Sequence, residues 1–401
     1  MTDSLAAKPF AIPPLAVYVH WPYCARICPY CDFNVVRARG GAEPALLARA
    51  IVRDLAGQAA DLGPRRLSSI FFGGGTPSLM TPDQVGEIVA AARALWPGEP
   101  EVEITLEANP TDAEAGRFAG FADAGVNRLS LGVQSLDDAA LAFLGRNHDA
   151  AQARRAVAAA LAAFDQVSID LIYARPGQSV ADWARELGRA IALGPSHVSP
   201  YQLTIEPGTA FARAVSRGAM TPVDEDTGYA LYETTQDLLS DAGFEAYEVS
   251  NHARGRNARS RHNLAYWRGW DYLGVGPGAH GRLTLGAGRV ATATARKVAD
   301  YIARVEARGV GVVDSNRLTP REAATERLLM GLRTDEGVAW SELAVLALGP
   351  RHPVVADLAA GGWLAVGAER IAATAKGRRV LDHITGELST VAPREADAVG
   401  R

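Results

Sequence analysis

Cysteine is almost absent from this 401-residue chain: there are three, all between positions 24 and 31. An odd count confined to one segment excludes a disulfide framework, which a chain of this size does not need. Long apolar runs are missing as well, since no stretch approaches the roughly 18 uninterrupted apolar residues of a membrane span. The first residues, Met1-Thr-Asp-Ser-Leu-Ala-Ala-Lys8, lack the basic start and apolar run of a secretory signal, so the expected location is the cytoplasm. An excess of one charge is also lacking. The 41 Lys and Arg against 45 Asp and Glu leave a net charge of -4, and no nucleic-acid partner is expected. What is present, 48% hydrophobic and 21% charged residues, suits a globular protein of two or three domains with a large core.

The cysteines stand in Tyr18-Val-His-Trp-Pro-Tyr-Cys24-Ala-Arg-Ile-Cys28-Pro-Tyr-Cys31-Asp-Phe-Asn34. Three thiolates spaced C-x3-C-x2-C, with none elsewhere, are ligands before they are small buried hydrophobes. Cys24, Cys28 and Cys31 can hold three irons of a [4Fe-4S] cluster and leave the fourth open to a substrate or cofactor. The competing reading is a structural zinc site in which His20 completes a tetrahedron.

Along the chain, strand-like and helix-like segments alternate. Strands are expected at 15–19, 67–72, 102–107, 128–133, 167–172 and 197–203, with helices at 43–60, 81–95, 112–124 and 180–193 between them. Six strands in βα alternation predict a parallel sheet covered by helices, either open and doubly wound or curled into a full or partial barrel. Gly73-Gly-Gly-Thr-Pro77 follows the second strand, Glu107 and Gln134 end the third and fourth, and Asp170 lies in the fifth. In a parallel barrel such positions converge on one mouth, which the cysteine loop would cap.

C-x3-C-x2-C after Tyr-x-His, then Gly-Gly-Gly-Thr-Pro, Gly-Val-Gln-Ser and Ile-Asp-Leu-Ile-Tyr, resemble in this order the radical S-adenosylmethionine (SAM) proteins of the coproporphyrinogen oxidase group. The resemblance runs from about Leu15 to about Leu388 and implies a partial (β/α)6 barrel of the α/β class, with a small, mainly helical, winged-helix-like domain behind it. It implies a cluster whose open iron is chelated by SAM. It also assigns SAM-site roles to Tyr18, Gly74, Gly75, Thr76, Glu107, Gln134, Arg146 and Asp170, with Tyr30 and Phe33 as an apolar wall near the adenine. The expected division is a flexible tail over 1–13, the barrel with its extension over 14–290, and a C-terminal domain and tail over 291–401.

Two departures choose within the group. The oxidases carry a further cysteine two positions after the third ligand, where this chain has Phe33, and Arg261-His262-Asn-Leu-Ala-Tyr266-Trp267 resembles a signature of heme chaperones of the HemW type. The resemblance therefore implies a protein that binds heme and passes it to acceptor proteins, including respiratory ones, with peripheral contact at the membrane during delivery. The alternative is a radical SAM oxidoreductase acting on a porphyrinogen. His262 is the candidate heme ligand, a neutral imidazole being a common axial ligand. Tyr266 and Trp267 offer flat surfaces for a porphyrin. A loop histidine bonded to backbone is the other reading, and His20 and His280 are further candidates.

Overall fold

The computed structural model describes residues 12–286 and 288–390. The tail expected over 1–13 therefore lies, except for its last two residues, outside the described residues, as does the C-terminal stretch 391–401. Six strands, β1 (Pro14–Trp21), β2 (Arg66–Gly74), β3 (Gly98–Ala108), β4 (Arg128–Gln134), β5 (Gln166–Tyr173) and β6 (His197–Gln202), pair in sequence order, each parallel to the next. β7 (Asp271–Val275) joins the other side of β1, also parallel. β8 (His280–Leu285), β9 (Gly288–Thr294) and β10 (Val312–Arg317) then extend that edge as antiparallel strands. The result is a mostly parallel α/β partial barrel.

Strand alternation explains why one face of this sheet is a core and the other a lumen. Side chains at successive positions point to opposite faces. Ile70 and Phe72, Ile104 and Leu106, Leu129 and Leu131, Ile169 and Leu171, and Val198 are buried in one apolar core. Helices α1 (Glu43–Leu62), α2 (Pro82–Leu95), α3 (Ala150–Ala163) and α4 (Val180–Ala192) contribute to the same core. The alternate positions carry Thr105, Glu107, Arg128, Ser130, Ser168, Asp170, His197 and Ser199, which line a small polar cavity of about 100 Å3 inside the barrel. Enclosed polar groups cost free energy unless they are paired, so a polar lumen marks a working interior.

The helices start where local chemistry dictates. Thr81 and Gln84 form a capping box with Pro82 in the first turn of α2, and Asp149 with Gln152 does the same for α3. The helix expected over 112–124 is two short ones, Asp112–Ala115 and Phe118–Asp123, broken at Gly116, a residue that is costly inside a helix. Near the C-terminal end the helical sequence is likewise divided, into Ala375–Arg378 and Leu381–Ser389.

Two later helices complete the frame. α5 (Glu225–Asp241) packs beside α4, and α6 (Arg261–Trp267) lies against β2. The two backbone N–H groups at the start of α6, from Arg261 and His262, donate to the buried Glu103 carboxylate of β3, each at 3.0 Å.

The large sheet continues beyond the expected division at 290/291, which falls inside β9. α7 (Val298–Arg308) belongs with it too, since the Tyr301 hydroxyl donates to Asp54 of α1 at 2.6 Å. A separate core begins past Arg317. α8 (Pro320–Gly331), helix Pro353–Ala360 and helix Leu381–Ser389 bury Leu328, Val355 and Ile384 against a three-stranded antiparallel sheet containing Leu364 and Ile371. Ion pairs join this unit to the barrel: Arg268–Glu336 at 2.6 Å, Arg282–Glu326 at 2.8 Å, Arg379–Glu233 at 2.8 Å and Arg333–Glu248 at 3.2 Å.

Candidate functional site

The carboxyl ends of the strands open into a cavity of about 800 Å3. Its lining includes Cys24, Cys28, Cys31, Tyr30, Phe33, Gly74, Gly75, Thr76, Glu107, Gln134, Arg146 and Asp170, so residues scattered over the first 170 positions meet at one mouth. Tyr18 is the exception. It projects beside the glycine loop and lines a different cavity, described below.

The cysteine loop is held by backbone bonds from Cys31 N–H to Cys28 O at 3.2 Å and from Phe211 N–H to Pro29 O at 3.0 Å. Burial pushes the Cys24 thiol up to about 11 against a lowering hydrogen bond from Thr76, and the neighbouring Cys31 and Cys28 raise it further. Burial likewise raises Cys31, and two raised thiols beside Cys28 suit a cationic centre between them, a role that the irons of a cluster would fill. Among the described residues no group of three or more His, Cys, Asp or Glu is placed to hold a single metal ion. His20 is not available to complete a zinc tetrahedron in this arrangement. Its Nε2–H donates to the Asn34 carbonyl at 2.9 Å, and its Nδ1 accepts from the Tyr18 hydroxyl at 3.1 Å.

The glycine loop packs too closely against His20 and Pro22 for side chains. Gly74 sits at φ +108°, and a Cβ on Gly75 would lie 2.8 Å from the Pro22 carbonyl carbon. Gly75 N–H donates to Trp21 O at 2.7 Å and Thr76 N–H to Tyr23 O at 2.8 Å, which fixes the loop beside the cysteines. Gly74 N–H donates to Glu107 Oε2 at 3.2 Å.

Glu107 and Asp170 form an acid pair in the lumen. Burial, reinforced by the Asp170 charge and opposed by the Gly74 N–H, pushes Glu107 up to about 8. Burial lifts Asp170 to about 6, restrained by the Ser199 and Ser130 hydroxyls. The Ser130 hydroxyl donates to both Asp170 oxygens, at 3.3 and 3.2 Å. At neutral pH the pair therefore retains a proton on Glu107 while Asp170 is mainly ionised.

Two side chains at the mouth are incompletely satisfied. Gln134 is a non-glycine residue at φ +63°, where the β4–β5 register shifts, and its buried Oε1 has no partner among the described residues. Arg146 donates through Nη2 to Gly132 O at 3.0 Å and to Asn109 Oδ1, and through Nη1 to Cys28 Sγ at 3.4 Å and Tyr30 Oη at 3.5 Å. Its buried Nε is unpartnered. Positive φ and unpaired buried polar atoms are costly, and they concentrate where a ligand completes the set.

Residues outside the sequence expectation also belong here. Asn109 bridges Thr76 and Arg146, donating to Thr76 Oγ1 at 3.1 Å. Its place two residues after Glu107 was the available signal. Arg333 and Asp382 reach the mouth from the C-terminal unit, and no local pattern marks them. Arg333 also lies 4.8 Å from the centroid of the Trp267 ring and donates to the fully buried Glu248.

His262 does not stand in an open heme site. It is 1% exposed, its Nδ1 bonds the Ser69 hydroxyl at 3.0 Å and its Nε2 the Tyr266 hydroxyl at 2.7 Å. Its ring stacks on Phe71 with centroids 4.9 Å apart. Burial holds its pKa down at about 3, so the ring is neutral, and in this conformation neither nitrogen is free for iron.

With this geometry in view, comparisons with known proteins are informative. The radical SAM superfamily model matches residues 18–188, and the HemN C-terminal domain model matches 318–380. The mouse mitochondrial protein called radical S-adenosyl methionine domain-containing protein 1 is 39% identical over 395 residues, covering 96% of this chain and 88% of its own length. The Escherichia coli heme chaperone HemW is 40% identical over 284 residues, covering 71% and 74%. The solved structure of coproporphyrinogen III oxidase (HemN) from Escherichia coli has the same fold, with a TM-score of 0.78 at 22% identity over 95% of this chain and 91% of that one. The chain belongs to the HemN-like radical SAM family, close to the heme chaperones called HemW.

Proposed function

We propose that this protein is a heme chaperone, one that binds heme and hands it to acceptor proteins, and that it carries a [4Fe-4S] cluster with SAM at the open iron. The observation that carries the cofactor part is the convergence, on one mouth, of three thiols, the Gly74–Thr76 loop and the unpartnered Gln134 and Arg146 atoms. The heme part is supported by the likeness to relatives named heme chaperones and by Phe33 beside Cys31.

Cys24, Cys28 and Cys31 would hold the cluster, which when reduced supplies an electron for SAM cleavage. The N–H groups of the Gly74–Thr76 loop are spent on Glu107, Trp21 and Tyr23, so this loop would border a bound SAM as a rigid wall without side chains. Asp170 suits ribose hydroxyls, since an ionised carboxylate accepts strong hydrogen bonds. Glu107 holds a proton until a cationic group arrives to stabilise its charge. Arg146 ties the cysteine loop to β4 through Cys28 and Gly132, and its buried Nε is left without a partner. Among the described residues no helix is long and apolar enough to cross a membrane, so delivery to a membrane acceptor would proceed by surface contact.

A second reading, radical oxidation of a porphyrinogen, is favoured by the completeness of the same mouth. Anaerobic reconstitution separates the two. The chaperone reading expects hemin uptake, transfer of that heme to an apo-hemoprotein, and no conversion of coproporphyrinogen III when SAM and reductant are supplied. Robust decarboxylation of coproporphyrinogen III, or failure to take up hemin, would overturn it.

A further inference from the structure

Besides the mouth, a cavity of about 690 Å3 lies at the junction where β7 and β8 face α8. The outer edge of the cysteine loop, by contrast, is open surface. Cys28 and Cys31 are half-buried, while Ile27 is 46%, Phe33 60% and Val36 42% exposed. Beyond Phe33 the chain turns back on the ligands: Val36–Arg37 pairs in parallel with Tyr23–Cys24, and the Ala38 N–H donates to Cys24 O at 2.8 Å. Arg37 is thereby in register with a cluster ligand. Asn34 ties the same edge to the segment before α7, its Nδ2 donating to Pro277 O and to Arg296 O, each at 2.9 Å. Arg296 and Lys297, remote in sequence, therefore stand beside the loop.

The charge of this edge runs against that of the chain. Residues 25–42 contain Arg26, Arg37 and Arg39 against the single acid Asp32, in a protein of net charge -4. All four are exposed, as are Arg296 and Lys297. Among the described residues none of these five cations enters an ion pair. The neighbouring Glu43 accepts from the Tyr23 hydroxyl at 2.7 Å, and Asp300 lies in the first turn of α7. Exposed cations that repel one another add nothing to the core, and such a field draws a partner of opposite sign. The chemistry behind the edge says what that partner carries. A cluster that supplies an electron must first receive one, and its ligands come nearest to solvent here. Small, mixed apolar and charged faces are the kind used by transient redox encounters.

We propose that this edge is the docking face of an acidic one-electron carrier protein, with Arg37, Arg39, Arg296 and Lys297 meeting its acidic rim and Phe33 and Val36 its apolar centre. The inference rests on the cluster part of the reading above. One electron leaves the carrier's reduced group and enters the cluster, so the carrier is oxidised and the cluster reduced by one electron each. No bond in this chain forms or breaks.

The probes are flavodoxin as its FMN hydroquinone and reduced plant-type ferredoxin, with dithionite as a small reductant that needs no docking. Arg37→Glu with Lys297→Glu is compared with Arg154→Glu with Arg189→Glu, which makes the same change of net charge at exposed positions of α3 and α4. In stopped flow at low ionic strength, the first double variant of the reconstituted chain is expected to accept electrons from a carrier about tenfold more slowly than wild type, and the second at close to the wild-type rate. Dithionite should reduce all three alike, and salt at about 0.15 M should shrink the gap. Binding of oxidised flavodoxin to the cluster-free chain, read by broadening of its amide resonances, should weaken in the first variant only. Should that variant fail to assemble a cluster, Arg39→Glu with Lys297→Glu takes its place. Equal slowing in the two double variants, an unchanged carrier rate in the first, or a wild-type cluster that dithionite reduces and neither carrier does, overturns the docking face and leaves the cluster reading standing. Lost transfer of hemin to an acidic apo-hemoprotein with carrier rates unchanged assigns the face to the acceptor and overturns the proposal. Absence of cluster absorbance in the wild-type chain overturns the cluster reading and the inference with it.

Discussion

The barrel mouth and the junction cavity are similar in volume and opposite in construction. The mouth is assembled mainly by one sheet and the loops beyond its strands, which bring thiols, glycine backbone, acids and a buried arginine, with Arg333 and Asp382 added from the C-terminal unit. The junction cavity is assembled by two units, from aromatic rings, ion-paired arginines and an exposed histidine. A site built on a rigid sheet can hold strained and unpaired groups such as Gln134, because the surrounding ladder fixes them. The cavity across the seam is lined instead by partly exposed ion pairs that can exchange partners. The two histidine environments repeat the contrast: His262 is saturated and buried, whereas His280 is exposed and unbonded.

The sharpest way to separate the cavities is through the thiols. Cys24→Ala, Cys28→Ala and Cys31→Ala should each lose about four irons and all cluster absorbance after anaerobic reconstitution. Tight zinc with no iron uptake by the wild-type chain would undo the cluster assignment.

Next in size is Asp170→Ala, expected to weaken SAM binding by about 1.5 to 3 kcal/mol in a calorimetric titration with the cluster intact. An unchanged affinity would remove Asp170 from the SAM site.

The acid pair also gives the mouth a pH signature. Glu107 is raised from 4.5 to about 8, so its favourable contribution is complete below about 4.5 and is lost as pH rises through about 8. Chemical denaturation of the ligand-free protein should show stability falling across that window, and Glu107→Gln should flatten the fall. A parallel pH profile in the variant would argue against a buried proton.

The smallest effects belong to the histidine pair. His262→Ala strands the Ser69 and Tyr266 hydroxyls and should cost about 1 to 3 kcal/mol of stability. His280→Ala, at an exposed position, should change unfolding by no more than about 0.5 kcal/mol. Equal costs at the two positions would break the contrast between a saturated and an unbonded histidine.

The mouth was legible in sequence because its residues sit at chain positions that a parallel barrel brings together whatever the connecting helices do. Every expected SAM-site position except Tyr18 lines it. Tyr18 alternates inward from β1 beside Phe71 and His262, and so meets the seam. The antiparallel strands β8 to β10 were not anticipated, although the Leu and Thr alternation after His280 and the Gly286–Gly288 turn region are strand signals. The seam cavity had no local signature. Its walls come from α6, from the β7 and β8 strands and from a unit some 50 residues further along the chain, and only the docking of two cores defines it. His262 illustrates the limit most clearly, since a motif identifies a residue without revealing which of its atoms are already engaged.

Arg333 lines the mouth, while its guanidinium rests on Trp267, a wall of the seam. One side chain thus borders both cavities. A ligand in either site that displaces it changes the free energy of binding in the other, and thermodynamic linkage makes that coupling equal in both directions. If SAM occupancy tightens the hold on heme, then heme must tighten the hold on SAM by the same factor.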